Sequence, residues 1–176
     1  MKGYTLIEML VALSLMVIVL LGGTVLFMQN LRSGGLAEVD VTLNRAGRSI
    51  LDELEKVIRF GEVIGLNEYT KLDCLDANTS GLSGTYLTIR NIDGLDIDYY
   101  LSDQKVASIT SSMNEPYYLN SGDFAVENLQ FSWFCTSGIS DKIKVDMDIS
   151  STVLGTGVVI SKNISREVLI LNGSTN

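Results

Sequence analysis

The sequence contains no histidine, and basic residues are scarce in it. Of its 176 residues, 13 are Lys or Arg and 21 are Asp or Glu, so the formal net charge is −8. Without imidazole, the usual base of many hydrolases and a common zinc ligand are missing, which argues against an enzyme and against a metal site or other cofactor. Nucleic-acid binding needs a basic surface, so we expect no direct contact with DNA or RNA.

Charged residues are almost absent from the first part of the chain. Residues 5–28 read TLIEMLVALSLMVIVLLGGTVLFM, in which Glu8 is the only charge. At about 1.5 Å rise per residue, about 24 helical residues span the roughly 30 Å hydrocarbon core of a bilayer. A secretory signal peptide would have a shorter apolar stretch and a small-residue cleavage site after it. The run therefore predicts a transmembrane helix.

Glu8 is the unusual residue of this span. A carboxylate inside an apolar helix is costly in lipid and marks a functional position by default. No basic residue lies between Tyr4 and Gln29, so its charged partner would come from a neighbouring subunit. The other interpretation is that Glu8 lies near the membrane interface, where it is hydrated or protonated.

The residues around Glu8 form a motif. Residues 2–8 read KGYTLIE and precede the unbroken apolar run, which resembles the prepilin cleavage and methylation motif of type IV pilins and type II secretion pseudopilins. The resemblance implies cleavage between Gly3 and Tyr4, N-methylation of Tyr4, and pairing of Glu8 with the N-terminal amine of an adjacent subunit during assembly. Tyr4 stands where the family usually has Phe, and the leader at residues 1–3 is short for the family.

The resemblance also implies a location and a set of partners. It implies a single-pass protein of the inner (cytoplasmic) membrane that later joins a periplasmic or cell-surface filament. The implied partners are other pilin subunits, the prepilin peptidase, and an inner-membrane assembly platform with its ATPase. The sequence does not distinguish a pilus from a secretion pseudopilus.

Two adjacent glycines, Gly22 and Gly23, interrupt the apolar span. Each costs about 1 kcal/mol relative to Ala in a helix interior. One interpretation is close packing of neighbouring helices through small residues. The other, which the resemblance to pilins suggests, is a flexible point at which the helix stretches or melts in a filament core.

The whole chain predicts an α+β fold, in which a long N-terminal helix packs on an antiparallel β-sheet. In residues 31–64 apolar residues recur every three or four positions, with a weak point at residues 33–35. After residue 65 the composition changes to short β-prone runs between polar loops. We predict a leader (1–3), a transmembrane or filament-core helix (4–30), an amphipathic helical half (31–64) and an extracytoplasmic β domain (65–176).

Six segments of the second half are candidate strands, and a meander is the simplest topology for the first three of them. They are residues 85–89, 95–101, 105–110, 124–135, 142–150 and 164–171, with a turn signal at 91–94. Their order resembles that of minor pilins and the J-type pseudopilin. The favoured function is therefore a structural subunit of a type IV pilus or type II secretion-like pseudopilus, in a minor (initiating or tip) role. The alternative is a single-span, membrane-anchored binding domain that does not assemble.

Two further sets of side chains carry predictions. Cys74 and Cys135 would lie outside the cytoplasm, where disulfides persist, so we predict a bond between them. The alternative is a pair of buried free thiols. A small acidic cluster is either a calcium site with oxygen ligands or a solvated turn and strand face; it consists of Asp93, Asp96 and Asp98.

Overall fold

The computed structural model describes residues 5–77, 81–120, 122–137, 139–153 and 157–171, with the backbone alone at residues 31–33. The chain divides into two units, Met1–Val39 and Asp40–Asn176. One helix, α1, begins in the first unit and ends in the second. The second unit also contains a short helix and nine strands among the residues described.

Helix α1 comprises 55 residues, Leu6–Phe60. The predicted weak point at residues 33–35 does not interrupt its helical backbone. The amphipathic half was predicted to reach residue 64, whereas α1 ends at Phe60 and the chain turns at Gly61. A Cβ on Gly61 would lie 2.4 Å from Ile89 Cγ2 and 2.9 Å from the Arg90 carbonyl oxygen. A side chain at this position would collide with the neighbouring backbone, so the close approach of residues 89–90 requires glycine directly after the helix.

In the second unit, α1 buries one face. The residues of this stripe lie three or four positions apart, as the sequence predicts for an amphipathic helix; the buried positions are Leu43, Gly47, Ile50, Leu51, Leu54 and Ile58. Full burial of one such apolar side chain contributes about 1.5–3 kcal/mol. At Gly47 an added Cβ would lie 2.3 Å from Ile164 Cδ1, so the missing side chain allows the sheet to approach closely.

Two antiparallel sheets and a short helix form the rest of the second unit. The elements are β1 (Glu62–Leu66), α2 (Lys71–Ala77), β2 (Leu82–Gly84), β3 (Leu87–Arg90), β4 (Asp96–Ser102), β5 (Lys105–Thr110), β6 (Tyr117–Tyr118), β7 (Ala125–Thr136), β8 (Ile139–Thr152) and β9 (Val159–Leu169). The first sheet has the order β1-β3-β4-β5-β6, and the second has the order β2-β7-β8-β9. Inward-facing residues alternate along β8, where Ile143, Val145, Met147 and Ile149 are buried.

The predicted fold class is confirmed, since a long N-terminal helix packs against antiparallel sheets. The predicted strand at residues 105–110 has the bounds of β5, and the other five predicted strands overlap β3, β4, β7, β8 and β9. The meander predicted for residues 85–110 is confirmed, because β3, β4 and β5 are consecutive antiparallel neighbours in the first sheet. The division of the strands into two sheets, with β7 paired to β2 in the second, was not predicted. The short elements β1, α2, β2 and β6 were not predicted either.

A disulfide and a buried carboxylate join α2 to the second sheet. The predicted Cys74–Cys135 bond is present, with a Cα–Cα distance of 5.6 Å. A crosslink between positions this far apart stabilises by about 4 kcal/mol in the chain-entropy account. Nearby, the Trp133 indole Nε1–H donates to Asp141 Oδ2 at 3.2 Å, and the Lys71 ammonium donates to the same oxygen. Asp141 is 4% exposed, so both partners are needed to offset its burial.

Candidate assembly site on the N-terminal helix

Thr5 and Glu8 form a reciprocal cap at the start of α1. The Thr5 backbone N–H donates to Glu8 Oε2 at 3.0 Å, and the Thr5 hydroxyl donates to the same oxygen at 3.1 Å. The Glu8 N–H lies 3.4 Å from Thr5 Oγ1. This is a capping box, which satisfies backbone donors that have no partner inside a helix. Sequence reasoning missed Thr5, although the T-x-x-E spacing is the signal that finds such a cap.

The capping box gives Glu8 partners within the chain, in addition to the partner predicted for it in a neighbouring subunit. Its two hydrogen bonds both go to Oε2 of the Glu8 carboxylate, and Thr5 brings no positive charge. The predicted pairing with the N-terminal amine of an adjacent subunit stays a prediction. Gly3 and Tyr4, where cleavage and methylation are predicted, lie outside the described residues.

Beyond Glu8, the helix exposes apolar side chains around its whole circumference. Between Leu6 and Met28, the exposed fraction of the large apolar side chains runs from 51% at Val11 to 83% at Leu6. Among the described residues, one helix is long and apolar enough to cross a membrane, and its most apolar window has a mean hydropathy of 2.7. Within this chain's described residues, no apolar partner covers that surface. Such a surface is suited to contact with lipid or with other apolar helices.

The two hydroxyl groups within the span are satisfied locally. Ser14 Oγ donates to the Val11 carbonyl oxygen and Thr24 Oγ1 donates to the Leu21 carbonyl oxygen, each at 2.8 Å. In lipid every polar group needs such a partner, because no water is present to supply one. The polar content of residues 9–28 therefore does not prevent membrane insertion.

Gly22 and Gly23 lie inside the continuous helix. No described atom of another element lies within 4 Å of a Cβ placed on either residue. Contacts within the chain therefore do not explain why glycine stands there. Close packing against another subunit and local flexibility both stay predictions for this pair.

Ion pairs join the second-unit part of α1 to β9. Lys162 Nζ lies 2.9 Å from Asp40 Oδ1, and Arg166 Nη1 lies 2.7 Å from Glu55 Oε2. Arg166 also contacts Asp52. The Asp52 carboxylate, and Glu55 beside it, raise the pKa of Arg166 above its ordinary value. Sequence reasoning missed these pairs, because their members lie more than a hundred positions apart and no local pattern connects them.

Glu55 is the centre of this network. Its carboxylate accepts hydrogen bonds from the guanidinium groups of Arg59 and Arg166. The Arg59 hydrogen bond, together with Arg166, holds the pKa of Glu55 below its ordinary value. One turn further along, the Leu171 N–H donates to the Arg59 carbonyl oxygen at 2.8 Å. This bond satisfies one of the free carbonyl groups at the end of α1.

The acidic cluster is divided among protein partners. Arg90 Nε donates to Asp96 Oδ1 at 2.7 Å and its Nη2 donates to Asp96 Oδ2 at 3.0 Å. Thr88 Oγ1 donates to Asp98 Oδ1 at 2.7 Å. Across the ranges that the structure describes, no group of three or more His, Cys, Asp or Glu side chains has the arrangement of a metal site. The geometry therefore favours the interpretation of these residues as a polar strand face.

Comparison with known families identifies the N-terminal segment. Residues 1–24 match the family model described as the prokaryotic N-terminal methylation motif. No curated protein and no solved structure matches the chain. A long helix that is apolar first and amphipathic later, packed on antiparallel sheets, is a pilin-like arrangement. The methylation motif supports a type IV pilin-like prepilin.

The motif supports a role as a subunit of a pilus or pseudopilus. Proteins of the pilin-like family are structural rather than catalytic. The motif implies assembly with other pilins and processing by the prepilin peptidase. Together with the single apolar N-terminal helix, it fits membrane anchoring followed by filament assembly.

Proposed function

We propose that this chain is a minor, initiating or tip subunit of a type IV pilus or type II secretion-like pseudopilus. In this proposal the peptidase cuts between Gly3 and Tyr4 and methylates Tyr4. Residues 4–30 then lie in the inner membrane as a single span and later in the filament core. Residues 31–64 join this helix to an extracytoplasmic domain at 65–176, and an inner-membrane platform with its ATPase drives assembly. The chain has no catalytic role in this proposal.

The apolar surface of the N-terminal helix carries the proposal. Its large side chains are at least half exposed from Leu6 to Met28, whereas residues further along α1 are buried against the sheets. A bilayer satisfies such a surface before assembly, and a bundle of the apolar spans of other subunits satisfies it afterwards. Filaments of this kind grow through heterologous contacts that repeat without closing. In this proposal the same apolar surface contacts lipid before assembly and other subunits afterwards.

Two substitutions of Glu8 separate its role as a charge partner from its role in the capping box. Glu8→Gln keeps an acceptor for the Thr5 N–H, since Gln also forms capping boxes, but it removes the negative charge. Glu8→Ala removes both the charge and the cap. We measure the amount of the chain recovered in filaments sheared from its own cells, relative to the amount in the membrane.

If Glu8 pairs with the amine of a neighbour, both variants lose incorporation by about tenfold or more, as expected for a lost charge pair in an apolar surrounding. Both variants should remain in the membrane at wild-type amounts. Normal incorporation of Glu8→Gln with loss in Glu8→Ala would show that Glu8 acts as a helix cap and not as a charge partner. Normal incorporation of both variants would show that assembly needs neither the charge nor the cap of Glu8. Absence of the wild-type chain itself from filaments would favour a membrane-anchored binding domain that does not assemble.

The minor role is supported by the resemblance of the strand order to that of minor pilins and the J-type pseudopilin. Quantitative mass spectrometry of purified filaments tests it. A minor subunit is present in far fewer copies than the major subunit, whereas equal or larger copy numbers would contradict a minor role.

A further inference from the structure

The edges of the two sheets differ greatly in length. The first sheet ends in β1, of five residues, and β6, of two residues. The second sheet ends in β2, of three residues, and β9, of eleven residues. A strand in a globular protein is typically about five or six residues long. β9 is therefore the one long edge among the strands that the structure describes.

The backbone of β9 has a defined open side. Just beyond its two ends, the Ile170 N–H donates to the Asp141 carbonyl oxygen, and the Val153 N–H donates to the Val158 carbonyl oxygen. Both bonds cross to the chain of β8, and the pairing between the strands runs without a register shift. Successive residues of a strand direct their N–H and C=O groups to alternate sides. The even-numbered residues of β9 therefore face β8.

The odd-numbered residues of β9 consequently face the open edge. They are Ser161, Asn163, Ser165, Glu167 and their neighbours at the strand ends, and their side chains are exposed. The next odd-numbered residue, Leu171, confirms the direction, because its N–H bonds to the Arg59 carbonyl oxygen of α1 instead of to β8. Along β9 itself, no described backbone group outside the ladder with β8 bonds to this side.

Two features that commonly protect an edge strand are missing from β9, since it contains no proline and no bulge. Its exposed Glu167 is paired with Lys142 of β8. Its two basic residues, Lys162 and Arg166, are held by the acidic residues of α1 on one face of the sheet. Long edges without such protection attract other strands. An edge of this kind fits a protein that adds a strand from a partner.

The arrangement of α1 excludes a symmetric pair of identical chains at this edge. Asp40 contacts Lys162 near the start of β9, and Arg59 contacts Leu171 beyond its end, so α1 and β9 run in the same direction. A two-fold pair of identical edges aligns β9 antiparallel to its copy. The two copies of Asp40, where α1 enters this unit, would then lie at opposite ends of the pair. Subunits anchored in one membrane and assembled in one filament have a common direction.

The other described edges of a second copy are also unsuitable. They contain at most five residues, so they would leave most of β9 unpaired. The side chains beside the open edge define the chemistry of a better partner. Ile160 and Ile164 are half-buried on the face toward α1, whereas Ser161, Asn163 and Ser165 are exposed on the other face. A partner strand would therefore alternate apolar and polar residues.

We propose that the open edge of β9 accepts an extended segment of a different, non-identical subunit of the same filament. The added strand pairs with the N–H and C=O groups of the odd-numbered residues and extends the second sheet. This inference rests on the proposed function, because the common direction of the subunits comes from a shared membrane and filament.

Proline at an odd-numbered position tests the pairing. Ser165→Pro removes an N–H that points to the open edge, so the ladder with β8 keeps its bonds, and edge strands tolerate proline. Ser165→Ala is the matched control, since it keeps the N–H. We expect Ser165→Pro to be processed and oxidised normally, yet to enter filaments about tenfold less than wild type, because several backbone bonds depend on one uninterrupted edge. Ser165→Ala should enter as wild type does.

Hydrogen exchange on the wild-type chain tests the same edge without any substitution. In detergent micelles the odd-numbered amides of residues 161–167 should exchange rapidly and the even-numbered ones slowly. In filaments we expect the odd-numbered amides to slow by about tenfold or more, as hydrogen-bonded strands do. Equal exchange of these amides in micelles and filaments overturns the proposal, even if Ser165→Pro fails to fold.

A photocrosslinking residue at Asn163 identifies the occupant in the cells of origin. We expect a crosslinked peptide from a different protein that carries its own N-terminal methylation motif. A peptide from a second copy of this chain, or from a protein outside the filament, contradicts the proposal. If wild-type filaments form and Ser165→Pro enters them normally, the edge inference fails while the proposed function stands. If wild-type chain keeps its N-terminus and enters no filament, the proposed function fails.

Discussion

The two parts of helix α1 have the same secondary structure and opposite surroundings. From Leu6 to Met28 the large apolar side chains are at least half exposed, whereas Leu43, Ile50 and Leu54 are at most 2% exposed. The chain covers the second part with its own sheets and leaves the first part for lipid or other subunits. A single element therefore suits membrane anchoring of a folded domain and its later assembly. The difference lies in which side chains have partners within the chain.

The largest expected difference between the two parts of α1 comes from replacing one leucine in each part by alanine. Leu54→Ala removes a side chain that is 0% exposed, and large-to-small changes in a core cost about 2–5 kcal/mol. Leu15→Ala removes a side chain that is 58% exposed. In detergent micelles, thermal unfolding of the domain should shift by several degrees for Leu54→Ala and hardly at all for Leu15→Ala. Equal shifts would mean that residues 6–28 also belong to the folded core.

We expect the disulfide to stabilise the folded domain and to leave membrane insertion unaffected. Replacing Cys74 and Cys135 by Ser removes a crosslink between α2 and β7, which typically costs about 2–4 kcal/mol. We expect the unfolding midpoint of the domain to fall, while the amount of chain inserted in the membrane stays at the wild-type level. The same comparison on wild-type chain with and without reductant provides the control. An unchanged midpoint under both conditions would show that the bond does not support the domain.

Helix α1 has a glycine that packs against the sheet and another that faces open space, so the two can be compared directly. At Gly47 an added Cβ would lie 2.3 Å from Ile164 Cδ1 and 3.0 Å from Ile149 Cδ1, whereas at Gly34 it would meet open space. Gly47→Ala should therefore destabilise by about 1–3 kcal/mol, as overpacking does. Gly34→Ala should stabilise the helix by up to about 1 kcal/mol, because Ala has the higher helix propensity. Chemical unfolding checks both, and destabilisation by Gly34→Ala would reveal an unrecognised contact.

The smallest expected effect concerns the ion pairs that hold α1 to β9. The hydrogen bond from Arg59, together with Arg166, holds the folded-state pKa of Glu55 below its ordinary value. A lowered folded-state pKa contributes stability above the unfolded pKa, and this contribution is lost as the pH falls through the folded value. The difference in unfolding midpoint between wild type and Glu55→Gln should therefore shrink as the pH is lowered from 7 to about 3. A difference independent of pH would show that Glu55 acts through packing alone.

Most of the fold follows from patterns that lie close together in the sequence. The uninterrupted apolar run at residues 5–28 predicts the span, and the recurrence of Leu43, Ile50 and Leu54 predicts the buried stripe. Long alternating segments predict β7 and β8. The division into two sheets was not predictable, because it depends on the pairing of the three-residue strand β2 with residues 131–133 of β7. Such short strands have no periodicity of their own.

The features of the candidate site also fall into two groups, those with a local sequence signal and those without one. Glu8 stands out as the one charge in an apolar run, and its cap follows from the T-x-x-E spacing. The contacts of Arg166 with Asp52 and Glu55 had no local signal, since β9 reaches α1 only after the whole domain has folded. Local sequence therefore predicts the assembly helix well and the attachment of that helix to the domain poorly.

The most direct test of the account is mass spectrometry of the N-terminal peptide, taken from filaments sheared from the cells that make this protein. We predict a peptide that begins with N-methylated Tyr4. A chain that retains Met1, Lys2 and Gly3, and is found in the membrane and not in filaments, would contradict the account.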